Sequence, residues 1–390
     1  MFYNACQALQ PEIVKYRRDL HQIPETGTAH PMTCAYIAAE LDKMGIPYKL
    51  IENDAGIIAD IVGKPGKTVA LRADIDALPI VEATGLPFAS TNGNMHACGH
   101  DAHAAMLLGA AKVLNENKAN LNGTVRLFFQ SAEEILMGAK ACIAAGGLDG
   151  VDAVFGTHIG SILNKDIPSG TFIVTPGCCM ASVDKFTVHV KGVGCHGSTP
   201  EKGVDPVNIG AHIVIALQTI NSREFNACVP VVLTIGSIHA GSQYNIIPNE
   251  LTIEGTIRCL DPDVRKRVAA RIGEISAATA AAFGGSAELD MFWGAPPVIN
   301  TKELAELGAE AAIEVLGAEN VITHVDAPNM GGEDFAYYLE QVPGAFMFLS
   351  SADHAKGTDV AHHNPKFDVD EDVFWMGSAV FVNVVEKFLG

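Results

Sequence analysis

Apolar residues follow two patterns along this chain, a helical spacing of three or four residues and short continuous runs. The helical spacing predicts one helix over residues 11–21 and a second over 31–44. Residues 56–62 and 68–72 are short apolar runs bounded by glycine, proline and lysine, which is typical of strands. We expect these two strands to be neighbours, joined by a turn at 63–66.

Three predicted strands, 69–72, 124–130 and 151–156, run directly into polar residues. After the second strand, the residues from Ser131 onward are predicted to open a helix that reaches about Ala145. In open α/β sheets, ligands bind outside the carboxyl ends of the strands. We therefore expect the acidic and imidazole side chains that follow these strands to lie close together. They belong to Asp76, Glu133, Glu134 and His158.

The pattern changes near residue 180 and changes back after Pro296-Pro297. Between these points, predicted strands and helices alternate in the order β-α-β-β-α-β, which is typical of a ferredoxin-like α+β sandwich. The prediction is therefore an α/β protein in two parts. Residues 1–181 and 297–390 form the main domain, and residues 182–296 form an inserted ferredoxin-like domain.

Composition narrows the class of protein. The chain has 390 residues, 48% of them hydrophobic, and a formal net charge of −19. This charge argues against nucleic acid and against an anionic membrane as partners. The nine cysteines are odd in number and follow no regular spacing, which favours a reducing, cytoplasmic setting. We expect no signal peptide and no bilayer-spanning segment.

Residues 96–103 combine three histidines, one cysteine and one aspartate in eight positions. These side chains supply the nitrogen, sulfur and oxygen donors that Zn²⁺, Mn²⁺, Co²⁺ or Ni²⁺ prefer. Gly99 lies where the backbone must turn tightly to aim Cys98 and His100 at one point. The alternative is a histidine-rich loop in which Asp101 caps the following helix.

Glu133-Glu134 is a pair of adjacent carboxylates, for which the natural division is one metal ligand and one general base. The alternative is that both acids only favour a helix N-terminus. A two-metal hydrolase needs a bridging group and several further ligands. Cys98 as the bridge, with His100, Glu134, His158 and one distant histidine, meets that need. The candidates for the distant histidine are His354, His362 and His363.

Five ordered motifs together resemble the metallopeptidase family that contains the aminoacylases and glutamate carboxypeptidases. The most similar branch is that of the amidohydrolases, which act on N-acyl, hippuryl and indole-acetyl amino acids. The resemblance covers essentially the whole chain. The motifs are Met95-His96-Ala97-Cys98-Gly99-His100-Asp101-Ala102-His103, Ser131-Ala132-Glu133-Glu134, Gly156-Thr157-His158, Gly194-Cys195-His196-Gly197 and His363-Asn364-Pro365-Lys366-Phe367.

The resemblance implies a zinc-peptidase-like catalytic domain that holds two divalent metal ions. Mn²⁺ or Zn²⁺ is expected first, and Co²⁺ or Ni²⁺ is the second choice. Cys98 is implied to bridge the ions, His100 and His158 to serve one, and Glu134 and His363 the other. Glu133 is the implied general base on a water that bridges the ions. The wider family has a His-x-Asp motif where this chain has Asp74-Ile75-Asp76, so that histidine ligand is absent here.

Supporting roles are implied for Asp76, which would orient a ligand, and for Asp101, which we expect to cap the helix and lie behind the ligands. The replacement of the family's bridging aspartate by Cys98 favours an amidohydrolase over a true dipeptidase or carboxypeptidase. It also makes the site oxidisable.

The inserted domain is implied to act as a lid and as the surface of a homodimer. His196 would donate a hydrogen bond to the developing oxyanion, from its own or from the partner subunit. Arg258 would clamp a substrate carboxylate, although a plain surface arginine is an equal alternative. Asn245 lies near a strand end of the same domain, and Gly331 and Gly332 resemble the family's substrate-pocket loop.

The predicted function is hydrolysis of an N-acyl amino acid, with an acetyl or aromatic acyl group, to a carboxylate and a free amino acid. The alternatives on the same scaffold are a dipeptidase and an N-acetyl-diaminopimelate deacetylase. A non-catalytic metal or redox sensor is weaker, because a sensor needs no general base. A nucleotide-dependent enzyme is weaker still, because the chain has no Walker A sequence.

Overall fold

The structure, a computed structural model, describes residues 1–161 and 163–390. These residues form two compact units. The first unit comprises Met1–Cys179, Ile299–Asn329 and Glu333–Gly390, and the second comprises Met180–Val298 and Met330–Gly332. The predicted fold class, a mixed-sheet α/β protein with a ferredoxin-like part, is confirmed.

The helices of the described residues are labelled in chain order. They are α1 Gln10–His21, α2 Pro31–Met44, α3 His100–Glu116, α4 Gly138–Ala144, α5 Pro206–Thr219, α6 Pro262–Ala282, α7 Lys302–Leu316, α8 Ala336–Leu339 and α9 Phe374–Leu389. Short 3₁₀ turns lie at Phe2–Ala5, Gln7–Leu9, Glu52–Asp54, Lys118–Asn120, Pro200–Lys202, Ala318–Asn320 and Glu371–Val373, and one π turn lies at Ile220–Glu224.

The strands are labelled in the same way. They are β1 Tyr48–Leu50, β2 Gly56–Val62, β3 Lys67–Asp74, β4 Gly123–Gln130, β5 Ala153–Gly160, β6 Phe172–Ile173, β7 Gly177–Met180, β8 Asp184–Lys191, β9 Cys195–His196, β10 Val231–Ala240, β11 Ile246–Ile247, β12 Glu250–Cys259, β13 Ser286–Trp293, β14 Val298–Asn300, β15 Val321–Ile322 and β16 Gly344–Ser350.

The first unit is built on an eight-stranded sheet in the order β1-β2-β4-β3-β5-β16-β6-β15. Its centre is parallel, because β3 pairs in parallel with β4 and β5, and β5 with β16. Parallel strands bring their carboxyl ends to the same edge of a sheet. The polar residues that follow β3 and β4 and those at the end of β5 therefore meet there.

The prediction that β2 and β3 are neighbours is wrong, because β4 lies between them. The connection at 63–66 passes closely over the start of β4, where Gly63 N–H donates to Gly123 O at 3.0 Å. A Cβ on Gly66 would lie 2.0 Å from the carbonyl oxygen of Asn122. The turn residues suit this crossing as well as they suit a hairpin, so the sequence did not distinguish the two.

Helix α3 is the central helix of the first unit, and most of its residues are buried. It packs against α1 and α9 and against β3. Its alanines and leucines form part of a core that includes Leu71, Leu127 and Phe155 from the sheet. Because burial of apolar area is the main favourable contribution to folding, this packing fixes the position of the first turn of α3.

The second unit has the β-α-β-β-α-β order with strand order β10-β12-β8-β13, and all its pairings are antiparallel. Alternate side chains of β8, among them Phe186, Val188 and Val190, are buried in its core with residues of α5 and α6. Aspartate side chains cap the N-termini of both helices. Of the helices in the described ranges, none has the length and hydropathy needed to cross a membrane.

Candidate metal centre

Cys98 and His100 lie on either side of a tight turn at the start of α3. Gly99 has φ 90°, a left-handed conformation that favours glycine, as its position in the motif predicted. Gly99 is also the N-cap residue, and among the described residues no side chain caps this helix. The prediction that Asp101 caps α3 is therefore wrong. Asp101 is buried in the first turn, where it accepts hydrogen bonds from Arg17 and His21 instead.

Glu133 and Glu134 lie in a compact turn after β4, so the prediction that they open a helix is wrong. Ala132 and Leu136 both have φ 58°, a left-handed backbone that interrupts a right-handed helix. Helix α4 begins only at Gly138. Asp76 holds this turn, because Glu134 N–H donates to its Oδ2 at 3.0 Å.

One group of possible ligand atoms belongs to Cys98, His100 and His158, and these atoms lie within 4.8 Å of one another. Cys98 Sγ is 3.5 Å from His158 Nε2. His158 Nδ1 lies 2.9 Å from Ile159 O, and His100 Nδ1 lies 2.9 Å from Asp76 O. If each Nδ1 donates its proton to that carbonyl, both Nε2 lone pairs remain available to a cation.

A second group belongs to Cys98, Glu134 and His363, with ligand atoms again within 4.8 Å of one another. His363 Nε2 is 3.3 Å from Glu134 Oε1. His363 has φ 61°, and its backbone N–H donates to Ala97 O at 2.8 Å. The Cys98 and Glu134 hydrogen bonds raise the pKa of His363 to about 10.

The other two candidates for the distant histidine have different surroundings. His362 also lies beside Cys98, with Nδ1 at 3.6 Å from Sγ, and its Nε2 is buried. Burial, chiefly, lowers the pKa of His362 to about 3. His354 is exposed and pairs with Asp359 at 2.9 Å, so it is not among the clustered side chains.

Glu133 belongs to a third group, with His100 and Glu134. Burial raises its pKa well above the ordinary value, and the neighbouring carboxylates of Glu333 and Glu134 raise it further. A carboxyl group with a raised pKa is suited to accept and return a proton near neutral pH.

The residues at this edge fit divalent metal ions. Within the described ranges, several buried polar atoms at this edge have no hydrogen-bond partner, among them His100 Nε2, Glu134 Oε1 and Asp76 Oδ1. Buried polar atoms without partners are costly, so an unpaired imidazole nitrogen among thiol and carboxylate groups is a good sign of a cation site. Burial raises the pKa of Cys98, and a nearby cation would counter this by favouring the thiolate.

Two other histidines of the 96–103 stretch differ from His100. His103 lies with Nδ1 2.5 Å from Asp74 Oδ1, and its Nε2 accepts from Ile159 N–H at 2.8 Å. Both of its nitrogens are therefore committed to protein groups. His96 is buried, and neither of its ring nitrogens has a hydrogen-bond partner in the part of the chain that the structure describes; burial lowers its pKa to about 4.

Sequence reasoning missed a buried ionic network beside Glu133. Arg72, which is 1% exposed, donates to Asp74 at 2.8 Å, to Glu333 at 2.9 Å and to Asp334 at 2.8 Å. Asp334 N–H in turn points to Glu133 Oε1 at 3.4 Å. The available signal was an arginine inside an otherwise apolar strand, since a charged residue in such a place needs buried partners.

The remaining predicted residues belong to the second unit and lie in two places there. His196 is exposed on β9 and pairs with Ile246, the residue after Asn245. Arg258, on β12, lies close to Gly332. If residue 332 carried a Cβ atom, that atom would be 3.6 Å from Nη1 of Arg258. Such a Cβ would also lie 1.8 Å from Val183 Cγ2, so Gly332 is required for this close approach. Gly331 O accepts from Ala181 N–H at 3.1 Å.

Comparison with known sequences adds to this geometry. Residues 70–387 match the model of a protein family that is described as "Peptidase family M20/M25/M40". N-acetyl-L-cysteine deacetylase of Bacillus subtilis (strain 168) is 43% identical over 387 residues, which cover 98% of this chain and 89% of that protein. Thermostable carboxypeptidase 1 of Saccharolobus solfataricus is 38% identical, and the match covers 99% of this chain and 97% of that protein. IAA-amino acid hydrolase ILR1-like 5 of Arabidopsis thaliana is 35% identical, and the match covers 97% of this chain and 86% of that protein.

Among solved structures, the YXEP protein of Bacillus subtilis superposes on this chain with a TM-score of 0.85. It is 36% identical, and the match covers 98% of both chains. That protein is described as a dinuclear metal-binding peptidase.

If Cys98 is a metal ligand, Cys98→Ser will remove the thiolate-to-cobalt charge-transfer absorption and weaken binding of Co²⁺. The physical reason is that serine has no low-pKa donor to replace the thiolate. Titration of the metal-free protein with Co²⁺, followed by near-ultraviolet absorption, measures both effects. Cys228→Ser, at an exposed cysteine outside the cluster, is the matched control and should behave as wild type. An unchanged absorption in Cys98→Ser would contradict the assignment.

Proposed function

The chain belongs to peptidase family M20/M25/M40 and is a hydrolase of its amidohydrolase branch, and we propose that its substrates are N-acyl amino acids. The reaction would release a carboxylate, from an acetyl or aromatic acyl group, and a free amino acid. The observation that carries this proposal is the buried carboxylate of Glu133, which is clustered with His100 and Glu134, two residues that each also belong to a group containing Cys98. The names of two relatives, a deacetylase and an IAA-amino acid hydrolase, support the same substrate class.

We propose that Cys98, His100 and His158 hold one divalent ion, and that Cys98, Glu134 and His363 hold a second. Mn²⁺ and Zn²⁺ suit this mixture of thiolate, imidazole and carboxylate, and Co²⁺ and Ni²⁺ are acceptable substitutes. When bound, such ions polarise a carbonyl group and make water a stronger nucleophile.

Glu133 acts as the general base in this proposal. Its carboxylate takes a proton from the attacking water and returns it to the nitrogen of the leaving amino acid, so the proton count balances. Its raised pKa supports both steps, because the protonated form then remains a usable acid near neutral pH. Asp76 keeps the Glu134 turn in place through its hydrogen bond to the Glu134 N–H.

The second unit would supply substrate contacts. We propose that His196 donates a hydrogen bond to the oxygen of the scissile carbonyl as negative charge develops there. Arg258 would bind the substrate carboxylate, and Asn245, Gly331 and Gly332 would line the pocket. Burial lowers the pKa of Arg258, and a half-buried guanidinium gains from an anionic ligand.

Peptide hydrolysis is the second candidate, because one relative is named a carboxypeptidase. A peptide and an N-acyl amino acid share the amide bond and the carboxylate, and they differ in the free amino group. Deacetylation of an N-acetylated diamino acid is a variant of the first candidate. The redox-sensor alternative is disfavoured by the buried base, for which a sensor has no use.

We further propose that the protein forms a homodimer through the second unit. Strand β10 lies at an edge of its sheet, and an unpaired edge is a ready site for pairing with a second copy. Apolar side chains on β10 and α5 are exposed, with Ile238 at 48%, Ile215 at 69% and Val207 at 45%. A face of this kind can pair with itself about a two-fold axis.

The substrate proposal is tested by a panel of acetyl-, benzoyl-, indole-acetyl- and long-acyl amino acids beside unblocked dipeptides. We expect the metal-reconstituted protein to hydrolyse acyl amino acids with kcat/KM at least tenfold above that for dipeptides, and EDTA to abolish both activities. Release of free amino acid is the measured quantity. A preference for dipeptides would support the peptidase candidate and contradict the first.

Glu133→Gln should keep its metal and lower kcat by about 10²- to 10⁴-fold, because the amide has no proton-accepting carboxylate. The matched variant is Glu116→Gln, at an exposed carboxyl group on α3, which should retain wild-type kcat. Metal content and kcat are measured on the same samples. A Glu133→Gln protein with near-wild-type kcat would show that the base is a different residue.

For the dimer, Ile215→Asp is expected to shift the sedimentation coefficient from that of a dimer to that of a monomer, because it places a charge in an apolar contact. Val81→Asp changes a side chain that is 75% exposed in the first unit and should leave the dimer intact. A wild-type protein that sediments as a monomer would refute the proposal.

A further inference from the structure

Helix α1 contributes two buried polar side chains, Arg17 and His21, which the proposed mechanism does not use. Arg17 is 1% exposed and His21 is fully buried. A guanidinium that is buried so completely needs hydrogen-bonding partners of opposite charge. The positions of those partners show which segments of the chain Arg17 connects.

Arg17 joins two segments that each carry proposed metal ligands. Its Nε donates to Asp101 Oδ2 at 2.9 Å, in the turn that follows His100. Its Nη2 donates to Asp368 Oδ1 at 2.8 Å, and its Nη1 donates to Glu371 Oε1 at 3.2 Å. Asp368 and Glu371 follow His363 closely in the chain.

His21 extends the same connection to a third segment. Its Nδ1 is 2.7 Å from Asp101 Oδ2, and its Nε2 is 3.2 Å from the Glu82 carboxylate. The next residue, Ala83, donates its N–H to Pro365 O at 2.8 Å, within the His363 segment. Phe88 covers the guanidinium of Arg17 at 4.9 Å from its ring centre. Helix α1 therefore fixes the turn at Asp101 and the segment after His363 relative to each other.

Stability alone is a poor explanation for this arrangement. The desolvation cost of a buried ion pair often equals or exceeds its Coulombic gain, so apolar side chains would stabilise the same place at least as well. What a planar guanidinium provides is a fixed geometry between several carboxylates. The two proposed ions depend on that geometry to different degrees, because only one group of ligand atoms includes His363.

We propose that Arg17 is a positioning residue that sets His363 at the correct distance from Cys98 and Glu134, and that it thereby controls the affinity of the second ion. The inference rests on the proposed two-ion centre. The three ligands of the other ion, Cys98, His100 and His158, lie on α3, on β5 and in the turn before α3, and none of them belongs to the 363–371 segment. Loss of Arg17 therefore affects the two ions unequally.

The test is equilibrium dialysis of the metal-free full chain against Co²⁺ alone, with wild type compared with Arg17→Met and Asp368→Asn. We expect wild type to bind two ions. Both variants should bind one ion normally and the second 10- to 100-fold more weakly, the range typical of residues that orient ligands. Arg17→Lys should fall between wild type and Arg17→Met, because lysine keeps the charge but lacks the fork.

Asp368→Asn guards against misfolding of Arg17→Met, because it removes only one arm of the network at a partly exposed carboxylate. The matched control is Arg126→Met, which breaks the ion pair with Asp60 in the same unit, away from the ligands. It should bind both ions as wild type does. Thermal melting in EDTA compares the stability of the four variants.

Two results would overturn the inference: wild-type affinity for both ions in Arg17→Met and Asp368→Asn, or equal weakening of both ions. A wild-type protein that binds no Co²⁺ would overturn the proposed metal centre itself, and the inference with it. If wild type binds two ions and the variants lose affinity for one ion more than for the other, the result supports the proposed metal centre and the role of Arg17.

Discussion

The candidate metal centre is a group of ionisable side chains that are buried together at one edge of a sheet. Carboxylates and imidazoles lose their hydration there, and the carboxylates repel one another. Two arginines, each 1% exposed, offset part of this cost. Arg72 contacts Asp74, Glu333 and Asp334 next to Glu133, and Arg17 contacts the carboxylates behind His100 and after His363. The charged groups of the candidate site are therefore also coupled to the surrounding fold through these two arginines.

The parts of this arrangement that local sequence determines were predictable. Gly99 adopts the left-handed turn that its position between Cys98 and His100 required. The strand-then-polar pattern correctly brought the residues after β3 and β4 and the end of β5 to one edge, because parallel strands share that edge. The β-α-β-β-α-β order of the predicted elements correctly identified the α+β part of the fold.

The errors and omissions arise where distant contacts decide the conformation. Glu133-Glu134 has the composition of a helix start, but left-handed residues at Ala132 and Leu136 form a turn held by Asp76. The turn between β2 and β3 is compatible with a hairpin and with a crossing over β4, and only the whole sheet selects the crossing. Asp368, a partner of Arg17, and Asp334, a partner of Arg72, are 351 and 262 residues away in sequence, so no local pattern contains these pairs.

The spacing of the clustered side chains also determines when the site can exist during synthesis. Cys98 and His362 are 264 residues apart, and the whole second unit is encoded between them. A nascent chain that has emerged only as far as His158 contains one of the two proposed ligand sets, whereas the set that includes His363 awaits the last part of the chain. Under the proposed ligand sets, loading with two ions would report that translation has passed the second unit and that both parts of the first unit have joined.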